Sequence, residues 1–124
     1  SLLMQLHIDR ADIFGFSNGG TTELQVTIRH PELVNKLIIS SAMCKRTGVA
    51  PEFWEGMNKA SFADMPDAYK QAFLAINPSQ EALHIMFEQC AKRIQHFTDI
   101  PDTLIRSIRA QALILIGDRD VPLP

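Results

Sequence analysis

The chain is poor in most of the features that mark a specialised protein class, and each absence narrows the field. It has only two cysteines, Cys44 and Cys90, and they form no spaced pair of the zinc-binding or redox type. A reducing cytoplasm is therefore the default compartment, and Cys90, on the apolar face of an expected helix, reads as a buried thiol. No apolar run approaches the ~20 residues needed to span a bilayer. The first residues lack the basic stretch and apolar stretch of a secretory signal, which says little if the natural N-terminus lies upstream. Charge of one sign is scarce too. Twelve Lys and Arg against fourteen Asp and Glu give a net charge of -2, so neither nucleic acid nor an anionic membrane is an expected partner. The dinucleotide fingerprint G-x-G-x-x-G is missing. No metal and no cofactor is implied.

What is present is an ordinary globular composition, 46% hydrophobic and 21% charged, in 124 residues. That length suits one domain. Strands are expected at about 11–16, 37–42 and 111–117. Leu37-Ile-Ile and Ala112-Leu-Ile-Leu-Ile116 are continuous apolar runs, the pattern of strands buried on both faces of a parallel sheet. Helices between them make βαβ units, and the fold class is α/β.

Between 43 and 109 the pattern is helical and strand-free, longer than one crossover needs. Pro51 and Pro66 open two short helices. A third has Asn77 as N-cap, Pro78 at its first position and Gln80 placed for a reciprocal cap. Leu83, Met86, Phe87, Cys90, Ile94 and Phe97 share one stripe of it. Pro101-Asp102 starts a last helix. The chain thus divides into a core of 1–42 and 98–124 and a helical cap of 43–97, with 99–109 as the returning core helix.

The chemistry concentrates in Asp12-Ile-Phe-Gly-Phe-Ser-Asn-Gly-Gly20, which reads as strand, sharp turn and helix start. Gly15-Phe16-Ser17-Asn18-Gly19 fits G-x-S-x-G, the nucleophile elbow. A serine hydroxyl becomes a useful nucleophile when it is held exposed beside a base and near oxyanion donors. The elbow exposes Ser17 and aims the Asn18 N–H and the positive helix end at the developing charge. The glycines two residues either side allow the strained turn and close strand–helix packing. A phosphate loop is the nearest alternative, but Gly15-x-x-x-x-Gly20 is followed by Thr21 where that loop needs lysine.

Taken together, these segments resemble the α/β-hydrolase fold family. The resemblance covers roughly half of the chain, in two blocks. It runs from Leu2-Leu-Met-Gln-Leu6 through Arg10–Gly20 to His30-Pro-Glu-Leu-Val34 and Lys36-Leu-Ile-Ile-Ser-Ser-Ala42, and resumes at Ala110–Pro122. It implies a triad in which Ser17 is the nucleophile and Asp120, three residues after Gly117, is the acid. Asp118 is the rival acid, ranked second on that spacing. The family's triad histidine lies beyond the acid. Here the four histidines, His7, His30, His84 and His96, all precede Asp120. His84 and His96 read as solvated helix-surface residues. The second oxyanion donor and the early strands of the family are not in this stretch either, so the expectation is an internal fragment of a serine hydrolase, inactive by itself.

The implied substrate is a small, fairly apolar ester, lactone or related acyl compound. Serine at the elbow argues against dehalogenase and epoxide-hydrolase chemistry, and leaves acyl transfer and carbon–carbon bond hydrolysis open. Phe16, Phe53, Trp54, Met57 and Phe87 are candidate pocket residues, with simple helix packing as the equal alternative. The rival reading is a non-catalytic binding or assembly domain with hydrolase architecture. A three-strand sheet also has two unpaired edges, so self-association through them is expected.

Overall fold

The computed structural model describes residues 2–121. The chain forms two compact units, one of residues 1–50 and 98–124 and the other of 51–97. Residues 43–50 therefore group with the first unit.

That first unit is built on a three-stranded parallel sheet in the order β1-β2-β3, with β1 at Ala11–Phe16, β2 at Val34–Ser40 and β3 at Gln111–Leu115. Helix α1, Leu2–Gln5, precedes the sheet, and α2, Asn18–Arg29, links β1 to β2. The register pairs Phe16 with Ser40 and Ser40 with Leu115, so all three strands end at the same edge. α2 forms because Gly20, Thr21, Leu24 and Thr27 recur at helical spacing and bury one stripe. It stops before Pro31, which opens a 3-10 turn at Pro31–Leu33. The core gathers Leu24, Val34, Leu37, Ile39 and Ile100, with Ile13, Ile105 and Ile108 packed against it.

Strand β2 starts three residues earlier than expected, because Val34 pairs with Ala11, and it ends before Ser41, whose φ of 54° breaks the extended geometry. The larger correction concerns burial. Leu113, Ile114, Leu115 and Ile116 are all exposed, and β3 is exposed along its whole length. Among the described residues β3 pairs with β2 alone, and the core packs on β1 and β2, so an apolar run there does not mean a strand covered on both faces. The returning helix is also shorter than 99–109: it spans Asp102–Arg106 (α6), preceded by Pro101.

The second unit is helical, with α3 at Pro51–Lys59, α4 at Asp67–Ile76 and α5 at Gln80–Gln95. Pro51 begins α3 and Pro66 immediately precedes α4, as the proline positions predict. The N-cap of α5 is Ser79, not Asn77: the Ser79 hydroxyl accepts from the Ala82 N–H at 3.1 Å. Asn77 instead accepts from the Ser79 N–H at 3.2 Å, a turn that leads into the helix. Leu83 is buried and Met86, Phe87, Cys90 and Ile94 are half-buried, so the expected stripe faces inward, and the Cys90 thiol is partly rather than fully covered. Cys44 is exposed. No helix among the described residues is long and apolar enough to cross a membrane.

Candidate active site

Ser17 sits between the last residue of β1 and the first of α2, with φ 52° and ψ -120°. Non-glycine residues avoid such geometry, which costs of order 1–3 kcal/mol and persists only where the surroundings over-determine it. Here they do. The Ser17 N–H donates to the Ser40 carbonyl at 2.8 Å, and its own carbonyl accepts from the Thr21 N–H at 3.1 Å. One turn into α2, the buried Thr21 hydroxyl donates to the Met43 carbonyl at 2.9 Å and accepts from the Met43 N–H at 3.2 Å, which pins the helix start to the chain beyond β2.

The glycines divide the work differently from the motif. A Cβ on Gly15 would lie 2.6 Å from the Gly20 Cα, and one on Gly20 would lie 2.7 Å from the Ala42 Cβ and 3.0 Å from the Gly15 carbonyl oxygen. Gly15 and Gly20 therefore let strand and helix touch backbone to backbone. A Cβ on Gly19 would meet nothing within 4 Å. The second glycine of G-x-S-x-G is sterically idle, and its neighbour Gly20 makes the close approach instead.

Asn18 is the first residue of α2 and half-buried, so its N–H lies at the positive end of a twelve-residue helix. Phe16 is exposed beside Ser17. Two strands away, Asp120 lies in the turn after β3 and is half-buried, whereas Asp118 is exposed. Three donors converge on the Asp120 carboxylate. Ser41 Oγ donates to Oδ2 at 2.5 Å, the Val121 N–H to Oδ1 at 2.7 Å, and the Gly117 N–H to Oδ2 at 3.4 Å. The Ser41 hydroxyl, followed by the Val121 and Gly117 amides, holds the Asp120 pKa below the ordinary carboxylate value. Ser17, Ser41 and Asp120 thus follow three adjacent parallel strands and collect at their carboxyl ends, where open α/β sheets bind ligands.

Ser41 escapes sequence reading. Its partner is 79 residues away, and nothing links the two until the order β1-β2-β3 is known. Of the pocket candidates, Trp54 is buried and packs edge-on to Phe53 at 5.2 Å and against Phe97 at 5.6 Å, while Phe87 meets the Phe62 ring edge-on at 5.6 Å. Met57 and Phe53 are half-buried. All four belong to the helical unit, and the three aromatic rings are occupied in its internal packing. His84 and His96 are exposed in that unit. His84 stacks on Phe62 at 3.6 Å, and His96 Nδ1 lies 2.8 Å from the Lys92 carbonyl. His7 and His30 are exposed in the sheet unit. Among the described residues, no group of three or more His, Cys, Asp and Glu gathers to hold a metal ion.

No protein-family model matches the chain, and no curated protein matches its sequence. Solved structures do match. The meta-cleavage product hydrolase of Pseudomonas fluorescens superposes with a TM-score of 0.66 at 20% identity, over 99% of this chain and 52% of that one. The 2-hydroxy-6-oxo-6-phenylhexa-2,4-dienoate hydrolase of Rhodococcus gives 0.66 at 18% identity, again over 99% and 52%. Naproxen esterase of Bacillus subtilis gives 0.60 at 22% identity, over 98% of this chain and 47% of the esterase. The chain has the α/β-hydrolase fold.

It spans about half the length of these structures. Within that fold, β1 and α2 meet at the strand-to-helix turn that carries Ser17, and the Gly117–Asp120 turn follows β3. An open cavity of about 310 Å³ lies elsewhere on the sheet, lined by Lys36, Leu37, Ile38, Gln111, Ala112 and Leu113. Those residues pair at the start of β2 and β3, at the opposite end from Ser17, so the cavity is uncovered sheet surface rather than part of the elbow.

Proposed function

We propose that this sequence carries the nucleophile and acid of a serine hydrolase that acts on a small, fairly apolar ester, lactone or related acyl substrate. Ser17 attacks the acyl carbon, the Asn18 N–H supplies half of the oxyanion hole, and Asp120 orients the histidine that takes and returns the proton. The observation that carries this reading is the backbone of Ser17, a positive-φ serine fixed at a strand-to-helix turn by backbone contact between Gly15 and Gly20. Strain of that kind, imposed on a residue whose side chain is chemically useful, is what an elbow requires.

In this reading the histidine lies outside these 124 residues. The chain alone turns over esters negligibly, since loss of a triad member costs on the order of 10⁴-fold. The reducing cytoplasm is the proposed compartment. Carbon–carbon bond hydrolysis is the second reading, favoured by the likeness to the meta-cleavage product hydrolase, and it uses the same serine. Acyl transfer and a non-catalytic assembly role complete the alternatives. Because β1 and β3 are both edge strands and β3 is apolar and exposed, the chain is also proposed to self-associate. Light scattering across a tenfold dilution checks this, and a clean monomer throughout contradicts it.

Ester hydrolysis by the gene product that contains this sequence tests the main reading. A panel of p-nitrophenyl esters should be cleaved, with loss of turnover in Ser17→Ala and Asp120→Asn. Cleavage of a vinylogous 1,5-diketone but of no ester would favour the second reading. Ser17-independent turnover would refute both.

A further inference from the structure

Ser41 occupies a backbone conformation that suits glycine, with φ 54°. A glycine would relax the chain there, so the side chain that stands in its place calls for a reason. Its hydroxyl supplies one. Ser41 Oγ donates to Asp120 Oδ2 at 2.5 Å, while the Ser41 N–H donates to the Leu115 carbonyl at 2.9 Å. The same residue therefore grips the last residue of β3 by its backbone and the acid beyond β3 by its side chain.

The other contacts to the carboxylate come from within the turn itself, from the Val121 N–H at 2.7 Å and the Gly117 N–H at 3.4 Å. They shape the loop but leave its placement against the sheet to other groups. Ser41 provides that placement from β2, the strand lying between the one that precedes Ser17 and the one that precedes Asp120.

We propose that Ser41 is a positioning residue for Asp120, tying the carboxylate to the end of β2 so that its orientation is set relative to the nucleophile. The catalytic meaning of this rests on the reading of Asp120 as the triad acid. A hydroxyl and an amide on Oδ2, opposed by an amide on Oδ1, resist rotation of the carboxylate. Donation from the hydroxyl also favours the ionised form, the form that accepts an N–H from an imidazole.

Two substitutions separate the hydroxyl from the backbone. Ser41→Ala removes the hydroxyl and keeps the strain, whereas Ser41→Gly removes both and should fold at least as well. In carbon-detected NMR of the chain, Asp120 should titrate at a higher pH in both variants than in the parent. Its three-bond couplings across the Cα–Cβ bond should change from those of one rotamer to an average. An Asp120 midpoint and rotamer unchanged in a folded Ser41→Gly variant would overturn the proposal. In the ester-cleaving gene product, Ser41→Gly should lower kcat and leave KM in place, which a purely structural serine would not do. The two readings also fail separately. If the variants move Asp120 but Ser17 never reacts with an acylating probe, the positioning contact stands and the hydrolase reading falls. If Ser17 reacts and Asp120 does not respond to Ser41, only the positioning role falls.

Discussion

The two turns that present Ser17 and Asp120 are held by different physics. The Ser17 turn is fixed mainly by close packing and buried hydrogen bonds: Gly15 and Gly20 are in backbone contact, the buried Thr21 hydroxyl is bonded to Met43, and Leu24 and Leu37 belong to the core. The acid turn follows an exposed edge strand and is fixed by three hydrogen bonds to one carboxylate. Packing contacts fail by overlap or by leaving a cavity, whereas a hydrogen-bonded turn fails when a donor is lost or a proton is added. The Ser17 turn should therefore be stiff and insensitive to pH, and the Asp120 turn should be the softer of the two.

The largest break in that comparison comes from the core. Leu37→Ala, at a side chain only 1% exposed, should destabilise by about 2–5 kcal/mol. Leu113→Ala, on the exposed strand, should stay within about 0.5 kcal/mol. Urea unfolding followed by circular dichroism measures both. Equal losses would show that β3 is buried in solution and that the contrast is false.

Next in size are the glycines. Gly15→Ala should cost about 1–3 kcal/mol, since the new methyl meets backbone that has no rotamer with which to retreat. Gly19→Ala should instead stabilise by up to about 1 kcal/mol, because its Cβ points into open space in the first turn of α2. The thermal midpoints of the two variants should move in opposite directions. Gly19→Ala falling as far as Gly15→Ala would mean that the motif's second glycine is sterically needed after all.

The smallest expected effect is on pH dependence. Asp120 has a folded pKa below its unfolded value, because Ser41 and two amides bind the charged form. Its contribution is fully present above the ordinary carboxylate pKa of about 4 and is lost as pH falls through the lower folded value. Asp120→Asn should lower stability at neutral pH and flatten the profile in that acid range, so that variant and parent converge as the pH falls. A stability gap that stays constant down through the acid range would contradict the assignment.

How legible these features were in the sequence follows the same division. The elbow could be read because all its parts lie within nine residues and glycine spacing has a steric meaning. Even so, the motif credited Gly19 with a role that belongs to Gly20, since only the packed structure shows which glycine faces Gly15 and Ala42. The parallel sheet was legible from its apolar runs. The exposure of β3 was not, because a run such as Ala112–Ile116 reads the same at an edge as in a covered centre. The α5 stripe was legible from its period, but its cap was shifted by two residues, since Asn77 and Ser79 are both good caps and only the structure shows Ser79 bonded to Ala82. Ser41 was silent, as its hydroxyl matters only once β2 is known to lie beside β3.

The central claim is that Ser17 is a nucleophile held ready by its turn. Fluorophosphonate labelling of the gene product that contains this sequence, read by the mass of the Ser17 peptide with Ser17→Ala as control, tests it most directly. The account predicts one adduct, on Ser17, absent from the control. An unlabelled Ser17 in a folded protein that does cleave esters, or an adduct that survives Ser17→Ala, would contradict it.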